Sequence, residues 1–226
     1  MSEYPLVDIH THSELIPKDV VAIRNVFYGD ALNYRFDIKR FYSIGLHPWF
    51  IEGADDTFDP AKLEMLAAKP FVMAIGEIGL DSTADIDIEK QSRIFELQLT
   101  VAHKLKKPVI IHCVRTISYF IPKFKNNSFK VPVILHGYNC NAEITGSLIN
   151  KNCFFSFGKA LLKEESKASK VFNLIPEQNL FLETDESTIS IEKIYEAGAR
   201  IRNISTSRLK DIIADNFRRC FILGNK

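Results

Sequence analysis

The sequence lacks the features that mark several protein classes. No stretch approaches the roughly 18–20 apolar residues of a membrane span. The N-terminal residues MSEYPLVD show no basic segment followed by an apolar one, so no signal peptide is predicted. The formal net charge is only +1, whereas a protein that binds nucleic acid by charge alone is usually more basic. Any polyanion must therefore bind through a local patch or through bound metal.

Cysteine is scarce and scattered. The four cysteines are Cys113, Cys140, Cys153 and Cys220, and no two of them form a CxxC pair. Zinc-ribbon, thioredoxin-like and disulfide-framework proteins are therefore disfavoured, and reduced thiols in a cytoplasmic protein are expected. The chain also has no GxGxxG fingerprint, no phosphate-binding P-loop and no GxSxG elbow, so nucleotide-cofactor and serine-hydrolase chemistry lack support.

The chain does contain an alternation of short apolar runs with segments of helical character. The runs lack polar alternation, as expected of parallel strands buried on both faces. A chain of 226 residues is long enough for one α/β barrel, and we expect residues 1–226 to form a single barrel domain. The predicted strands are Leu6–His10, Val21–Phe27, Phe41–Gly45, Phe71–Gly76, Val109–His112, Val131–His136, Cys153–Phe157 and Leu180–Glu183.

The predicted helices lie mostly between the later strands. The longest covers Ile88–Lys106, with Ile94, Leu97, Val101 and Leu105 tracing one face. Only about eight residues separate the first two strands, too few for a crossover helix. We therefore predict an α/β fold, a distorted (β/α) TIM-type barrel with a trimmed first βα unit. The other predicted helices are Pro60–Ala68, Thr116–Lys125, Ala142–Asn150, Lys163–Leu174, Ser190–Gly198 and Thr206–Phe221.

Potential metal ligands and acid–base groups fall at the ends of six predicted strands. Barrel enzymes assemble their active sites at this face. Singly, each residue has an ordinary explanation, because a histidine there is commonly a hydrogen-bonded core residue and a carboxylate can start a helix. Their joint occurrence instead predicts a metal site. The residues are His10, His12, His47, Glu77, His112, His136 and Asp185.

Two histidines are set apart from the predicted ligands. His47, which precedes Pro48, is expected beside the site rather than as a ligand, and His103 is expected to be a surface or packing residue. Imidazole and carboxylate without thiolate suit several divalent ions, and the donor types alone do not choose among Zn, Mn, Mg and Fe. Two bridged ions can activate a water and stabilise the leaving oxygen, so hydrolysis is the expected chemistry.

These residues stand in an ordered series of motifs. They are DIHTH (8–12), GLHP (45–48), GEIGLD (76–81), QxxxFxxQL (91–99), PVIIH (108–112), ILHGY (134–138), FFSFG (154–158), LETD (182–185) and ADNFRRCF (214–221). The series resembles the TatD family of metal-dependent deoxyribonucleases, which belong to the amidohydrolase-like TIM-barrel hydrolases. The resemblance covers nearly the whole chain. DxHxH alone would be weak, but all the blocks in order make the match specific.

The resemblance implies a two-metal site that hydrolyses phosphodiester bonds in DNA, often exonucleolytically. One ion would be held by His10, His12, Glu77 and Asp185. Glu77 would bridge to a second ion held by His112 and His136, and Asp185 would also orient or deprotonate the attacking water. His47 and Asp81 would orient ligands or contact substrate, and Asp8 would support the ligands. Single-stranded DNA is the favoured substrate, no membrane partner is expected, and a monomer or a weak oligomer is equally compatible.

The sequence departs from the family pattern in places that concern substrate more than catalysis. Glu186-Ser187-Thr188 follow the LETD motif where the family has a small residue and proline. Arg115 stands three residues after His112 rather than two, and AIRNVFYGD (22–30) matches poorly. Arg115 and Lys159 are candidate phosphate contacts. Trp49 is the preferred residue for stacking on a base, and Tyr28, Phe50 and Tyr138 could either stack or pack in the core.

Two other functions stay open at this stage. The first keeps the barrel and the metals but hydrolyses an amide, a lactone or an aminoacyl ester. Related barrels often bridge their metals with a carbamylated lysine, and Glu77 in the bridging position favours the TatD-like function instead. The second is a catalytically idle metal-binding or nucleic-acid-binding scaffold, against which the intact ligand set argues.

Overall fold

Eight parallel strands form a nearly closed barrel in the computed structural model, which describes residues 4–51, 58–149 and 151–223. Each strand pairs in parallel with the next one along the chain. The last strand meets the first through Asp185 N–H, which donates to His10 O at 2.9 Å, and His12 N–H, which donates to Asp185 O at 3.1 Å. The strands are β1 (Leu6–Thr11), β2 (Val20–Phe27), β3 (Phe41–Gly45), β4 (Val72–Asp81), β5 (Val109–Val114), β6 (Val133–Leu135), β7 (Cys153–Phe157) and β8 (Leu180–Leu182).

The eight predicted strands are confirmed, with shifted ends. The largest difference is β4, which continues to Asp81 instead of ending at Gly76. Its pairing with β5 is irregular between Ile75 and Ile78 and then resumes as far as Asp81. Gly79 has φ of 149°, and a Cβ there would lie 2.0 Å from the His112 carbonyl oxygen, so only glycine allows β5 to approach so closely.

The helices surround the barrel. They are α1 (Tyr28–Ala31), α2 (Pro60–Ala67), α3 (Ile88–Leu105), α4 (Ile117–Lys125), α5 (Ala142–Leu148), α6 (Lys167–Phe172), α7 (Ile191–Arg202) and α8 (Thr206–Phe217). The prediction over 163–174 is wrong in part, because α6 begins only at Lys167, after Ser166 caps it by accepting from Ser169 N–H, and a 3₁₀ turn over Lys159–Leu162 comes before it. The last predicted helix continues beyond α8 as a π-helical turn over Arg218–Leu223. The predicted end of α5 at Asn150 lies outside the described residues.

Helix α3 differs from its predicted apolar face at one position. Ile94 and Val101 are buried as expected, but Leu97 is 39% exposed. The buried face also includes Phe95 and Ala102, and at 3.6 residues per turn Leu97 lies beyond the edge of that face. The helix ends as predicted near Lys106, whose φ of 53° terminates the hydrogen-bonded turns.

The first βα unit is trimmed, as the sequence predicts. Residues 12–19 join β1 to its parallel neighbour β2 without a helix, and α1 has only four residues. Side chains hold the connection in place: Arg24 forms an ion pair with Glu14 at 2.7 Å, and Arg40 donates to the Glu14 carbonyl at 3.0 Å. The connection therefore has a defined course beside the barrel mouth.

Two buried glutamines of α3 brace the barrel mouth. Gln98 accepts from Leu46 N–H at 2.7 Å and donates to Leu46 O at 3.0 Å. Gln91 does the same for the backbone of Asp81, at 2.8 and 3.0 Å. The QxxxFxxQL motif thus fixes the backbone beside His47 and that of Asp81, because each side-chain amide satisfies one donor and one acceptor.

The four cysteines are free thiols. No helix within residues 4–51, 58–149 and 151–223 is long and apolar enough to cross a membrane.

Candidate metal centre

The six predicted ligands converge at the carboxyl ends of the strands. His10 and His12 come from β1 and the residue after it, His112 from β5, and Glu77 from the middle of β4. His136 follows β6 and Asp185 follows β8. Pairing irregularities in β1, between Asp8 and Thr11, and in β4, between Ile75 and Ile78, flank His10 and Glu77. Such bulges re-aim side chains next to active sites.

Four donor atoms form a first group on one side of the Glu77 carboxylate. Glu77 Oε2 lies 3.4 Å from His10 Nε2 and 3.5 Å from His12 Nε2. Asp185 Oδ1 lies 3.7 and 3.6 Å from the same two nitrogens. Ligand atoms at roughly 2.0–2.2 Å from a tetrahedral ion lie about 3.4 Å apart. The donor atoms of His10, His12 and Glu77 all lie within 4.8 Å of one another, as a single divalent ion requires, and Asp185 lies within the same range of His10 and His136.

A second group surrounds the other oxygen of the same carboxylate. Glu77 Oε1 lies 2.6 Å from His112 Nδ1 and 2.7 Å from His136 Nε2, and these two nitrogens are 3.4 Å apart. His47 Nε2 is 3.3 Å from Glu77 Oε1. Because His47 Nδ1 accepts from Trp49 N–H at 3.2 Å, its Nε2 carries the proton in the neutral ring. This favours His47 as a hydrogen-bond donor to Glu77 rather than a ligand.

The charges of this cluster are strongly coupled. Burial would raise the pKa of the Glu77 carboxyl, but the imidazoles of His136, His10, His112 and His12 outweigh burial and hold that pKa well below its usual value. Burial likewise opposes protonation of His136, but the Glu77 and Glu183 carboxylates raise its pKa. The centre is thus a buried anion among imidazoles, which is the donor chemistry of a divalent-metal site.

His10 gives an independent test of fit to a metal. Its side chain is fully buried, and neither Nδ1 nor Nε2 has a hydrogen-bond partner. A buried unsatisfied nitrogen costs about 1–3 kcal/mol. A metal ion held between His10 Nε2 and the neighbouring donor atoms would remove that cost at Nε2. The burial of His10 therefore fits the divalent ion that the imidazole and carboxylate side chains imply.

Asp81 fixes the orientation of His112. Its Oδ2 lies 3.0 Å from His112 Nε2 and 2.7 Å from Trp49 Nε1, and its Oδ1 accepts from Thr83 N–H and Oγ1. Burial would raise the pKa of Asp81, but hydrogen bonds from Thr83, His112 and Trp49 lower it to about 2. An ionised Asp81 holds the proton of His112 on Nε2, which leaves Nδ1 with its lone pair toward Glu77.

We expect Asp81→Asn to weaken divalent-metal binding about 10–100-fold. All the groups on the Asp81 oxygens donate hydrogens, so the amide NH₂ of asparagine would face a donor and release the His112 ring. Isothermal titration calorimetry measures the affinity, with the exposed Asp85→Asn as matched control. Equal affinity in the two variants would show that Asp81 does not position His112.

Asp8 joins the two strands that close the barrel. Its carboxylate accepts from Thr184 N–H at 3.0 Å, from Thr184 Oγ1 at 2.6 Å and from His10 N–H at 3.4 Å. Burial raises the pKa of Asp8 to about 7 although these hydrogen bonds oppose the shift. Asp8 therefore contacts the backbone that carries His10 and Asp185, as expected of a supporting residue.

Sequence reasoning missed two supporting residues. Glu183 is buried, accepts from Gly137 N–H at 2.6 Å and lies 3.4 Å from His136 Nδ1. Asn25 accepts from Glu77 N–H at 2.7 Å. Glu183 stands inside the LETD motif, and Asn25 is a polar residue within the apolar part of β2, so a search for buried polar residues in strands would have found both.

Some of the residues predicted to contact substrate are exposed to solvent, and others are buried. Trp49 is 53% and Phe50 48% exposed at the rim, whereas Tyr28 and Tyr138 are buried and pack in the core. Arg115 and Lys159 are exposed after β5 and β7. His103 lies in the last turn of α3, where Nε2 accepts from Lys130 N–H at 3.2 Å.

A cavity of about 130 Å³ opens beside the donor atoms and is lined by His12, Phe27, His47, Trp49, Phe50, Glu77, His112, His136, Asp185 and Glu186.

Sequence comparisons identify relatives of this chain. A family model described as TatD related DNase matches residues 30–222. A Bacillus subtilis protein described as the uncharacterized metal-dependent hydrolase YabD is 27% identical over 198 residues, which are 79% of this chain and 76% of the relative. The 3′-5′ ssDNA/RNA exonuclease TatD of Escherichia fergusonii is 30% identical over 145 residues, which are 62% of this chain and 55% of that protein.

A solved structure has the same fold. The crystal structure of YjjV, a TatD homolog from Escherichia coli K12, aligns with a TM-score of 0.80. The alignment covers 96% of this chain and 97% of that one at 21% identity. This likeness concerns the barrel and its order of elements.

Proposed function

This chain belongs to the family of TatD-related DNases and is a metal-dependent hydrolase of ester bonds, and from that premise we propose that it cleaves phosphodiester bonds in DNA at a centre that holds two divalent ions. The ligands would be His10, His12, Glu77 and Asp185 for one ion and Glu77, His112 and His136 for the other. We propose further that residues 1–226 act as one catalytic domain in the cytoplasm.

A single observation carries the proposal: the two oxygens of Glu77 face two different sets of donors. Oε2 faces His10 and His12, and Oε1 faces His112 and His136. A carboxylate that served only as a hydrogen-bond acceptor would not need four imidazoles around it. Two divalent ions bridged by Glu77 would activate a water and stabilise the charge that develops on the phosphate.

The chain's own residues supply proton transfer and orientation. Asp185 is the most exposed of the six proposed ligand side chains, at 39%, so we assign it to accept a proton from the attacking water. Burial and the nearby Glu183 carboxylate raise the pKa of Asp185, and a carboxylate held beside the attacking water can accept its proton. Asp81 is hydrogen-bonded to the His112 ring at 3.0 Å, and Glu183 lies 3.4 Å from His136 Nδ1, so we assign both carboxylates to orient these rings.

Single-stranded DNA is the proposed preferred substrate. The cavity beside the donors is small, at about 130 Å³. Trp49 and Phe50 present half-exposed rings at its rim, where an unpaired base could stack. The Escherichia fergusonii relative carries ssDNA and RNA in its name. A monomer or a weak oligomer is equally compatible with this proposal.

One alternative keeps the centre and changes the bond that is cleaved. An amide, lactone or aminoacyl-ester hydrolase of this superfamily would often bridge its ions through a carbamylated lysine. No lysine lines the cavity beside the donor atoms in the described part of the chain, and Glu77 occupies the bridging position. This arrangement favours the phosphodiesterase.

The assay that tests the function uses labelled single-stranded DNA and a short duplex. We expect degradation with added Mn²⁺ or Mg²⁺ and protection by a chelator, because the proposed water activation requires the ions. Metal analysis of the same sample shows whether the centre is filled. Intact DNA with a filled centre, across a panel of metals and substrates, would overturn the proposal, and activity confined to carboxyl esters or amides would establish the alternative.

A further inference from the structure

A second cavity, of about 470 Å³, lies directly beside the metal centre and shares His136 with it. Its walls are the carboxyl ends of β5 and β6, the residues that follow them, and the first turns of α4, α5 and α6. The centre's own cavity has about 130 Å³, so the neighbouring one offers more than three times that volume. A chain that crosses His136 from the centre would therefore enter this second cavity.

The polar groups of this cavity are arranged for an anion. Its lining contains the cations Arg115 and Lys167 and no carboxylate, whereas Glu77, Asp185 and Glu186 line the cavity at the metal centre. Cys113 and Cys140 also line it, and burial raises the pKa of both thiols, that of Cys113 to about 12. The two thiols are neutral at physiological pH and add no negative charge.

Two amide side chains add hydrogen-bond donors, which also favour an anion. Asn139 Oδ1 accepts from Ala168 N–H at 3.1 Å, and Asn141 Oδ1 accepts from Ile144 N–H at 2.9 Å. Each oxygen is thereby occupied, and each NH₂ group keeps its hydrogens for another acceptor. Charge and hydrogen-bonding capacity in this cavity therefore both suit a phosphate.

Arg115 and Lys167 are both available to an external anion. Neither forms an ion pair or a hydrogen bond within the described residues, although both are exposed. Several other cations are paired with carboxylates, in the pairs Arg24–Glu14, Arg40–Asp37, Lys104–Glu64, Lys123–Glu96, Lys170–Glu165, Arg208–Glu177 and Arg218–Asp215. Two unpaired cations on one cavity leave its positive potential uncompensated.

The backbone of Arg115 points to the same conclusion. Five non-glycine residues have positive φ, and Lys106, Asn127 and Asn203 lie at or just after the ends of helices. The other two are Asp185 and Arg115, with φ of 55°, which follow strands at the barrel mouth. The left-handed conformation is sterically strained for arginine, and such conformations cluster at functional sites.

We propose that this cavity binds the substrate phosphate next to the one that is cleaved, through Arg115 and Lys167. The inference rests on the proposed function and adds a second contact between the protein and its DNA substrate. The enzyme would then prefer an oligonucleotide over a diester with a single phosphate, because only the oligonucleotide reaches both cavities.

The test compares Arg115→Asn/Lys167→Gln with the wild type. Asparagine tolerates the left-handed backbone at 115, and Arg115→Lys keeps the charge as a partial rescue. A matched control, Lys125→Met/Arg200→Met, removes two exposed cations from the last turns of α4 and α7. The Kd of a labelled phosphorothioate oligothymidylate for the Mn²⁺-loaded protein is measured by fluorescence anisotropy from low to high salt. The KM values for oligothymidylate and for bis(p-nitrophenyl) phosphate follow from initial rates.

We expect the double variant to bind the oligonucleotide about 10-fold more weakly and with a shallower salt dependence, because contacts to phosphate are lost. The ratio of the oligonucleotide KM to the bis(p-nitrophenyl) phosphate KM should rise at least about 5-fold. The proposed phosphate contact would be overturned if the double variant kept the Kd and the salt dependence of the wild type. It would also be overturned if the control variant weakened binding equally, or if the wild type did not bind the oligonucleotide. Oligonucleotide binding without hydrolysis by the wild type would overturn the proposed function and leave the binding comparison decisive for the subsite.

Discussion

Replacing Glu77 with glutamine is expected to lower kcat/KM on single-stranded DNA by about 10³-fold or more. Glu77 is the only proposed ligand shared by both donor groups, and glutamine presents one neutral oxygen where the carboxylate presents two charged ones. Loss of the bridge removes several kcal/mol of transition-state stabilisation, and each 1.36 kcal/mol corresponds to about tenfold in rate. We also expect the metal content per chain to fall.

The matched control is Glu64→Gln, which removes a carboxylate that pairs with Lys104 at the surface, at 2.7 Å. Steady-state kinetics and metal analysis of both variants, with circular dichroism to compare their folds, separate loss of the centre from loss of structure. A folded Glu77→Gln protein that keeps its activity and its full metal content would show that Glu77 bridges nothing.

Asp185→Asn is expected to lower kcat by about 10²–10⁴-fold, the range typical of a lost general base. Asparagine keeps the size of the side chain and one oxygen near His10 and His12, but it cannot accept a proton at neutral pH. The backbone of residue 185 is held independently, by hydrogen bonds to His10 O and from His12 N–H. The barrel should therefore close in the variant as it does in the wild type.

Rapid-quench kinetics on labelled DNA at saturating metal isolate this effect from weaker metal binding. Asp215→Asn on α8, where Asp215 pairs with Arg218, is the matched control. The idle-scaffold alternative makes the opposite prediction, because a protein that only binds would show no difference between Asp185→Asn and the wild type in any turnover assay. Equal turnover in the two would therefore contradict a role of Asp185 in catalysis.

The barrel and the position of its mouth follow from the sequence because each carries a local pattern. Buried parallel strands are short apolar runs, and these runs end in ligand-type residues such as His112 and Asp185. The absence of a helix between β1 and β2 follows from the length of the connection alone. Chain order then places the residues at one face, since all eight strands are parallel.

The supporting contacts could not be predicted because they join residues that are distant along the chain. Glu183 contacts Gly137, which is 46 residues away, and Asn25 contacts Glu77, which is 52 residues away. Their partners depend on strand register, and the irregular pairing of β4 changes that register near Glu77. Lys167 likewise joins Arg115 at one cavity only through tertiary packing.

The most direct test of the central claim is anomalous diffraction from crystals of the full chain soaked in Mn²⁺. We predict two anomalous peaks, one on each side of the Glu77 carboxylate. The first should contact His10, His12 and Asp185, and the second should contact His112 and His136. A single peak, or peaks that do not contact Glu77, would contradict a two-metal centre bridged by this residue.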